Sequence, residues 1–273
     1  MENNVEYILT EINIYPVKSL GGISLHEAEV TDRGLKYDRR WMLVDENGKF
    51  LTQRVLPQMS LIKTSIDNHS LKLYHKLKDE LSFSVPLEIY NDKQHKVAVW
   101  NDAVDAIYVS KEADQWFSET LEFKCNLVYM PATSKRRIDT KYAKKNEIVS
   151  FADAFPFLII GQSSLDDLNS RLDEKLPMNR FRPNFVFEGG APFDEDKMKS
   201  FKLGNIIFYP VKPCSRCVVT TINQDTGTKG KEPLATLANY RTHNNKVMFG
   251  QNLLHEGRGT VKVGSRFEEI EWK

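Results

Sequence analysis

The chain has 273 residues, of which 41% are hydrophobic and 27% charged, a composition typical of a folded globular protein. Its 38 basic and 37 acidic residues leave a formal net charge of +1, so no overall field attracts nucleic acid or an anionic membrane. Three cysteines are too few for a secreted disulfide scaffold. The N-terminus lacks a signal-peptide pattern and no apolar run could span a bilayer, which predicts a cytoplasmic protein without membrane segments.

The first 110 residues are predicted to form mostly short strands. Apolar residues alternate with polar ones from residue 8 to residue 14. Asn47-Gly48 lies between two apolar stretches and is a strong hairpin signal, because both turn residues must accept positive φ. This spacing of strands and turns is typical of a barrel or a sandwich. Further strands are predicted at residues 41–44, 61–66, 71–74, 81–90 and 97–100, with a second hairpin turn at 67–70.

Three helices are predicted farther along the chain. Ser110 can cap the first, in which apolar residues between 113 and 121 fall on one face. The second covers residues 163–176, where leucines repeat at helical spacing before a proline, and the third covers residues 233–241. Strands are predicted to resume at residues 184–187, 206–209, 218–222 and 260–263.

The segment 131–146 contains six basic residues and few apolar ones. It is predicted to be an exposed linker between two halves of the chain, and the alternative is a basic rim around an anionic ligand. A nucleic-acid-binding barrel could also use this segment. The near-zero net charge and the lack of an aromatic-rich basic face oppose that interpretation, so no nucleic-acid partner is expected.

Residues 214–217, Cys-Ser-Arg-Cys, form a C-x-x-C motif that leaves four interpretations open. A thioredoxin-like dithiol needs a helix after the first cysteine, whereas the β-branched residues 218–222 predict a strand. A zinc site would need two further ligands, and the histidines show no paired spacing. Two buried, inert cysteines are the third interpretation. The fourth is a thiolate, favoured by the neighbouring Arg216, that binds a thiophilic metal.

Three basic segments lie where predicted strands begin or end, at residues 15–22, 37–41 and 178–184. Lysine, hydroxyl and backbone amide groups suit an oxyanion such as phosphate, and arginine forks suit bidentate contacts to phosphate or carboxylate. These segments and the cysteine motif could converge at the mouth of one barrel. No P-loop, dinucleotide-binding, HExxH or GxSxG motif is present, which disfavours nucleotide-hydrolysing and hydrolase functions.

The chain resembles the MOSC proteins, and especially the subgroup with an N-terminal β-barrel domain that includes the mitochondrial amidoxime-reducing component and its bacterial relatives. The matching segments cover nearly the whole chain in the family order, and their combination is far more specific than any one of them. They are IYPVKSLGG at 14–22, GLKYDRRWMLVDENGKFLTQR at 34–54, FADAFPFLI at 151–159, NRFRPNFVFEG at 179–189, PCSRCVVTTINQDTGTKGKEPLATLANYR at 213–241, FGQN at 249–252 and GTVKVG at 259–264.

With this resemblance we expect a β-rich α+β fold, in which an N-terminal barrel over residues 1–125 packs on a MOSC barrel with a few helices over residues 126–273. The resemblance implies that a molybdenum cofactor, Mo-molybdopterin, binds in the cleft between them. Cys217 is implied as the metal ligand, and Cys214 as its structural neighbour. Asp153 is implied near the metal, as a proton donor or water-orienting group. The other implied cofactor contacts are Lys18, Ser19, Arg39, Arg182, Asn184, Ser215 and Arg216.

The resemblance also implies an oxidoreductase that reduces N-hydroxylated compounds such as hydroxylamines, amidoximes and hydroxylaminopurine-type base analogues. No C-terminal [2Fe–2S] domain is expected, since three cysteines cannot supply the four ligands of a plant-type cluster. Electrons would therefore come from a separate ferredoxin-, flavin- or cytochrome b5-type protein. The alternative is a molybdenum cofactor carrier or sulfur-transfer module without N-reductase activity. Pyridoxal phosphate binding is a further property that the family suggests.

Overall fold

The computed structural model describes residues 5–89 and 94–273. Within them lie 21 strands, four α-helices and three 3-10 helices, which confirms the predicted β-rich α+β class. The strands are β1 (Ile8–Ile14), β2 (Ile23–Leu25), β3 (Glu27–Thr31), β4 (Gly34–Leu35), β5 (Trp41–Val44), β6 (Ile62–Ile66), β7 (Ser70–His75), β8 (Lys78–Pro86), β9 (Gln94–Val99), β10 (Asp102–Tyr108), β11 (Asn126–Tyr129), β12 (Arg136–Arg137), β13 (Ile148–Val149), β14 (Phe157–Gly161), β15 (Phe185–Glu188), β16 (Met198–Leu203), β17 (Ile206–Ser215), β18 (Thr242–His243), β19 (Lys246–Glu256), β20 (Gly259–Lys262) and β21 (Glu268–Trp272). The helices are α1 (Lys111–Leu121), α2 (Gln162–Asn169), α3 (Asp194–Lys197) and α4 (Leu234–Ala238), and the 3-10 helices are Pro57–Leu61, Met178–Arg180 and Val218–Thr221.

The largest sheet has nine strands in the order β2-β1-β15-β14-β19-β17-β16-β21, with β18 paired to β19. Its core contains mutually packed aromatic rings, among them Phe157, Phe185 and Phe208. β14 and β15 are parallel, whereas β1 runs antiparallel to β15. The connections before β14, before β15 and after β1 therefore meet at one edge of this sheet.

Smaller sheets form the rest of the fold. A four-stranded sheet has the order β5-β11-β10-β9, and two three-stranded sheets have the orders β6-β7-β8 and β20-β3-β4. A second apolar core lies under α1 and includes Trp41, Phe117 and Cys125. Strands from the two halves of the chain pair with one another. β11, just after residue 125, pairs with β5 and β10, and β1 from the first half pairs with β15 in the largest sheet. The predicted division at residue 125 stays a prediction.

Most strands and both predicted hairpin turns are confirmed, with one difference. Residues 67–69 connect β6 to β7, and the Asp67 carboxylate accepts hydrogen bonds from the backbone N–H groups of His69 and Ser70. Gly48 has φ 73°, but Asn47 lacks the positive φ that was predicted for it, because the Gly48 N–H donates to the Asp45 carbonyl and closes a turn around Glu46 and Asn47. The chain after Gly48 forms isolated bridges and not a strand. The last residue of the strand predicted at 81–90 lies outside the described residues.

The helix predicted after Ser110 is confirmed, whereas the other two are shorter than predicted. The Ser110 hydroxyl caps α1 by accepting the Ala113 N–H at 3.1 Å. α2 ends at Asn169, whose side chain accepts the Leu176 N–H at 2.8 Å and donates to the Leu176 carbonyl at 3.1 Å. The Asn169 side chain thus replaces the helical hydrogen-bond partners of the Leu176 backbone, and Leu172 and Leu176 lie outside the helix. The third helix, α4, has only five residues.

The prediction of a strand at residues 218–222 is wrong, because Val218–Thr221 is a 3-10 helix. The hydroxyls of Thr220 and Thr221 donate to the carbonyls of Cys217 and Val218 at 3.0 and 2.8 Å. Threonine side chains thus satisfy backbone acceptors within a tight turn, which outweighs the β propensity of the sequence. Cys217 lies at the start of this turn.

The prediction of an exposed linker at 131–146 is wrong for Arg136. Its side chain is 5% exposed, and its guanidinium forms an ion pair with Asp102 at 2.7 Å. It also donates to the carbonyl oxygens of Ser150, Ala152 and Asp153. This cation therefore anchors the connection before β14, because the carbonyls of that loop have no strand partner.

Glu195 in α3 is fully buried, and we expect its carboxyl to make the stability of the fold depend on pH. Its carboxyl accepts the Ser164 hydroxyl at 2.9 Å and the Gly161 N–H at 3.3 Å, and burial raises its pKa to about 7. An acid with a raised native pKa stabilises the fold at low pH and loses that contribution as the pH rises toward 7. We expect the free energy of unfolding to fall by up to about 3 kcal/mol between pH 4.5 and pH 7 through this group.

Urea unfolding of wild type and Glu195→Gln across this pH range measures the contribution. The wild type should lose stability relative to Glu195→Gln as the pH rises, while the exposed control Glu188→Gln should follow the wild type. Parallel curves for wild type and Glu195→Gln would refute the assignment.

Candidate functional site

Every sequence-predicted site residue lies on one cleft. This cleft encloses about 860 Å³ of space, a figure that includes its open mouth. Its lining includes residues from both halves of the chain. The predicted residues that line it are Lys18, Ser19, Arg39, Asp153, Arg182, Asn184, Ser215, Arg216 and Cys217. The roles that the sequence assigned to them stay predictions.

Backbone hydrogen bonds hold the connections after β1 and before β5 together. The Arg39 and Trp41 N–H groups donate to the carbonyls of Tyr15 and Pro16, and the Lys18 N–H donates to the Trp41 carbonyl. Lys18 and Arg39 therefore enter the cleft from two interlocked loops.

Unusual backbone conformations cluster at this cleft. Ser19, Arg39 and Arg182 have φ values of 68°, 49° and 57°. Residues other than glycine in this left-handed region cost about 1–3 kcal/mol each, and such strain is found preferentially at functional sites. The register of the pairing between β17 and β19 shifts twice between Pro210 and Ser215, which bends β17 where it enters the cysteine motif.

Lys18 and Asp153 form the main ion pair of the cleft. The Lys18 ammonium is buried and donates to Asp153 Oδ1 at 2.6 Å and to the Phe151 carbonyl at 2.8 Å. The Asp153 side chain is 66% exposed because it faces the cleft. Its protein surroundings favour the neutral acid, but Lys18, Arg54 and the Trp100 N–H outweigh this and hold the pKa of Asp153 well below its usual range.

Two arginines enclose the ring of Tyr15. The guanidinium carbons of Arg39 and Arg182 each lie 4.2 Å from the ring centroid. Arg39 also forms an ion pair with the buried Asp38 at 2.7 Å. Arg182 has no carboxylate within 4.0 Å among the described residues, and burial lowers its pKa to about 10, so it remains charged at neutral pH.

Arg216 is a second guanidinium without a carboxylate partner in the described part of the chain. It donates to Cys214 Sγ at 3.0 Å and to the Phe181 carbonyl at 2.6 Å. Its Nε atom is buried and has no hydrogen-bond partner within residues 5–89 and 94–273. A buried donor without an acceptor costs about 1–3 kcal/mol, and a bound anion would satisfy it.

Cys217 lies half-buried on the wall of the cleft. Arg54 donates to its Sγ at 3.4 Å, and the same arginine has no ion pair among the described residues. Cys214 also lines this cleft and accepts a hydrogen bond from Arg216, and its role as a structural neighbour stays a prediction. A guanidinium donor therefore lies beside each of the two sulfurs.

Asn184 acts mainly as a structural connector. Its amide accepts from the Leu158 N–H at 3.2 Å and from Arg39 at 3.3 Å, and it donates to the Asn13 carbonyl at 3.1 Å. The Ser19 carbonyl accepts from Gln53 at 2.7 Å. The hydroxyls of Ser19 and Ser215 have no protein partner in the described residues, so they are open to a ligand.

Sequence reasoning missed Arg54 and Trp100. Arg54 ends a family-like segment, but nothing in the local pattern shows that it reaches Cys217. Trp100 ends a predicted strand and donates to Asp153 Oδ1 at 3.3 Å. Both contacts join residues more than 50 positions apart, and only the fold reveals them.

The cleft therefore combines five cations with one lining carboxylate and two half-buried thiols. The cations are Lys18, Arg39, Arg54, Arg182 and Arg216. Such a donor set suits an anionic ligand with phosphate-like groups, and a thiol at its wall suits a soft metal.

Comparison with known proteins identifies the family. The MOSC N-terminal beta barrel domain matches residues 7–124, and the MOSC domain matches residues 146–268. The chain belongs to the MOSC family. The cleft lies between these two matched regions, since Lys18 and Arg39 belong to the first and Cys217 belongs to the second.

Two kinds of MOSC protein are similar to this chain over most of its length. Mitochondrial amidoxime-reducing component 1 of Mus musculus is 32% identical over 274 residues, which cover 94% of this chain and 80% of that protein. The Homo sapiens protein of the same name is 32% identical over 273 residues, which cover 94% and 81%. Molybdenum cofactor sulfurase of Oryza sativa subsp. japonica is 35% identical over 268 residues, which cover 91% of this chain. The chain spans only 32% of that sulfurase.

Within the described residues, none of the helices combines the length and the apolar character needed to cross a bilayer. The longest helix is α1, which has 11 residues.

Proposed function

We propose that this MOSC protein binds a molybdenum cofactor in the cleft and reduces N-hydroxylated compounds. The proposal rests on one observation, which is that Cys217 lines the same cleft as Arg54, Arg182 and Arg216. None of these three arginines has a carboxylate partner in the described residues. An anionic, metal-bearing cofactor would satisfy both the thiol and these cations. The amidoxime-reducing components among the relatives support the same reaction class.

The donor set fits this cofactor. The unpartnered Arg216 Nε and the unpaired Arg182 guanidinium would hold its charged groups, with Lys18 and Arg39 beside them. Cys217 would bind the metal, and Ser19 and Ser215 would contribute hydroxyl donors. When bound, the cofactor would supply the two-electron chemistry that cleaves the N–O bond and yields amine and water.

Asp153 would orient a substrate or a water molecule and not donate a proton. The low pKa of its carboxyl keeps it ionised at neutral pH, which leaves it an acceptor. Its contacts with Lys18 and Trp100 fix the carboxylate at the cleft wall. Protons for the amine and water would then come from solvent through the open mouth of the cleft.

The pH profile of Asp153→Asn tests this role. We expect turnover to fall by about 100-fold with an unchanged profile shape between pH 5 and pH 8, since Asp153 does not titrate there. The cofactor-free protein should also lose stability, because the buried Lys18 ammonium loses its carboxylate partner. Asp105→Asn, which breaks an exposed pair with Lys96, is the control. If wild-type turnover rises or falls with pH in this range and Asp153→Asn lacks that change, Asp153 titrates during the reaction and the proposed role is wrong.

A cofactor carrier or sulfur-transfer module is the second candidate, favoured by the two cysteines, Cys214 and Cys217, that line the cleft and by the similarity to the rice sulfurase. An artificial reductant and an amidoxime distinguish the two functions. The reductase converts the amidoxime to the amidine in the molybdenum-loaded state, whereas the carrier does not. The electron donor would be a separate ferredoxin-, flavin- or cytochrome b5-type protein. The cytoplasmic location and pyridoxal phosphate binding stay predictions.

A further inference from the structure

Trp100 occupies an unusual place in a hairpin turn. Val99 pairs with Asp102, so Trp100 and Asn101 form the two-residue turn between β9 and β10. Trp100 has φ 55°, in the left-handed region that glycine prefers and bulky residues rarely adopt. The residue is also 44% exposed, although a large aromatic side chain gains most from burial. Neither backbone preference nor core packing explains a tryptophan at this turn.

The contacts of Trp100 join it to two residues that line the cleft, Asp153 and Arg54. Its Nε1 donates to Asp153 Oδ1 at 3.3 Å, and the Arg54 guanidinium carbon lies 4.4 Å from its ring centroid. Phe50 packs against it with a centroid distance of 5.0 Å. Arg54 also donates to Cys217 Sγ, so one guanidinium separates the indole ring from the cysteine sulfur. Trp100 is thus held in place by residues of the site while part of its surface stays open.

We propose that Trp100 is a specificity-determining residue on which planar, uncharged aromatic substrates stack as they enter the cleft. This inference rests on the proposed function and names the substrate class of the same site. The cationic lining disfavours positively charged substrates, whereas an aromatic amidoxime is neutral and can stack on the exposed indole surface. The hydrogen bond to Asp153 fixes the indole edge to a residue of the cleft wall.

Ligand-induced tryptophan fluorescence tests the stacking without any turnover. The chain has four tryptophans, and benzamidoxime added to the oxidised protein should quench the emission of Trp100. We expect the quench to disappear in Trp100→Phe and to persist in Trp272→Phe, which replaces a tryptophan of similar exposure on β21. A quench that persists in Trp100→Phe would overturn the proposal.

Turnover with a chemical reductant tests the specificity. The preference for benzamidoxime over acetamidoxime, taken as the ratio of kcat/KM values, should fall about tenfold in Trp100→Gly, which corresponds to 1.4 kcal/mol. The loss should lie mainly in KM for benzamidoxime, and Trp100→Phe should keep most of the preference. Glycine suits the turn but removes the ring contacts with Phe50 and Arg54, so Trp100→Gly should fold with a Tm only slightly below that of the wild type. An unchanged preference in Trp100→Gly, or a large fall in its Tm, would show that the ring is structural.

The two proposals fail in different ways. If the molybdenum-loaded wild type reduces neither amidoxime, the proposed reaction is wrong, and the fluorescence titration still decides whether aromatic compounds bind at Trp100. If both amidoximes are reduced without a Trp100-dependent preference, the reaction stands and the specificity assignment fails.

Discussion

Replacing Cys217 by serine is expected to reduce amidoxime turnover by more than about 100-fold. Changes to groups that only support a metal ligand already cost roughly 10–100-fold, and the loss of the ligand itself costs more. Cys217 lies on the cleft wall with Arg54 at 3.4 Å from its sulfur, so serine would leave this guanidinium beside a poor soft-metal ligand. Steady-state turnover with an artificial reductant, under identical cofactor loading conditions, measures the effect.

The matched control is Cys125→Ala, which removes a cysteine from the core under α1 and leaves the cleft intact. This control should keep most of the wild-type turnover with a moderate loss of stability. Turnover of Cys217→Ser within a few-fold of the wild type would remove Cys217 from the mechanism.

Replacing Arg182 by alanine is expected to weaken cofactor binding by about 10–100-fold. The guanidinium has no carboxylate partner in the described residues, and charge-assisted hydrogen bonds contribute about 1.5–3 kcal/mol each. Arg182→Lys should recover only part of the loss, because an ammonium cannot form a bidentate contact. Molybdenum retained after dialysis at a fixed protein concentration measures the affinity, with the exposed Arg137→Ala as the control.

The same variant separates a binding role from a structural role. Burial already opposes the charge on Arg182, as its lowered pKa shows, and no ion pair compensates it among the described residues. Removing the guanidinium should therefore leave the Tm of the cofactor-free protein unchanged or higher, while the cofactor-loaded protein loses stability. A lower Tm in the cofactor-free state together with normal cofactor retention would mean that Arg182 only supports the fold.

Local sequence patterns predicted those parts of the fold that short-range interactions determine. Ser110 caps α1, and the Asp67 turn connects β6 to β7, because each depends on residues only a few positions apart. The patterns were wrong where side chains bind the backbone in less common ways. Asn169 ends α2 early, and Thr220 and Thr221 turn a β-branched run into a 3-10 helix.

The sequence predicted which residues line the site but not how these residues contact one another. Basic residues at strand ends indicated an anion site, and the family resemblance named the residues that line the cleft. The pairing of Lys18 with Asp153 and the reach of Arg54 to Cys217 join residues 135 and 163 positions apart. Such contacts follow from the order of strands in the largest sheet, which no local pattern encodes.

The molybdenum-to-protein ratio of wild type and Cys217→Ala tests the central claim most directly. Both proteins are expressed with excess molybdate, purified in parallel and analysed for metal, with Cys125→Ala as the control. Wild type and the control should hold about one molybdenum per chain, and Cys217→Ala should have lost most of it. Full retention of molybdenum by Cys217→Ala would contradict the assignment of Cys217 as the metal ligand.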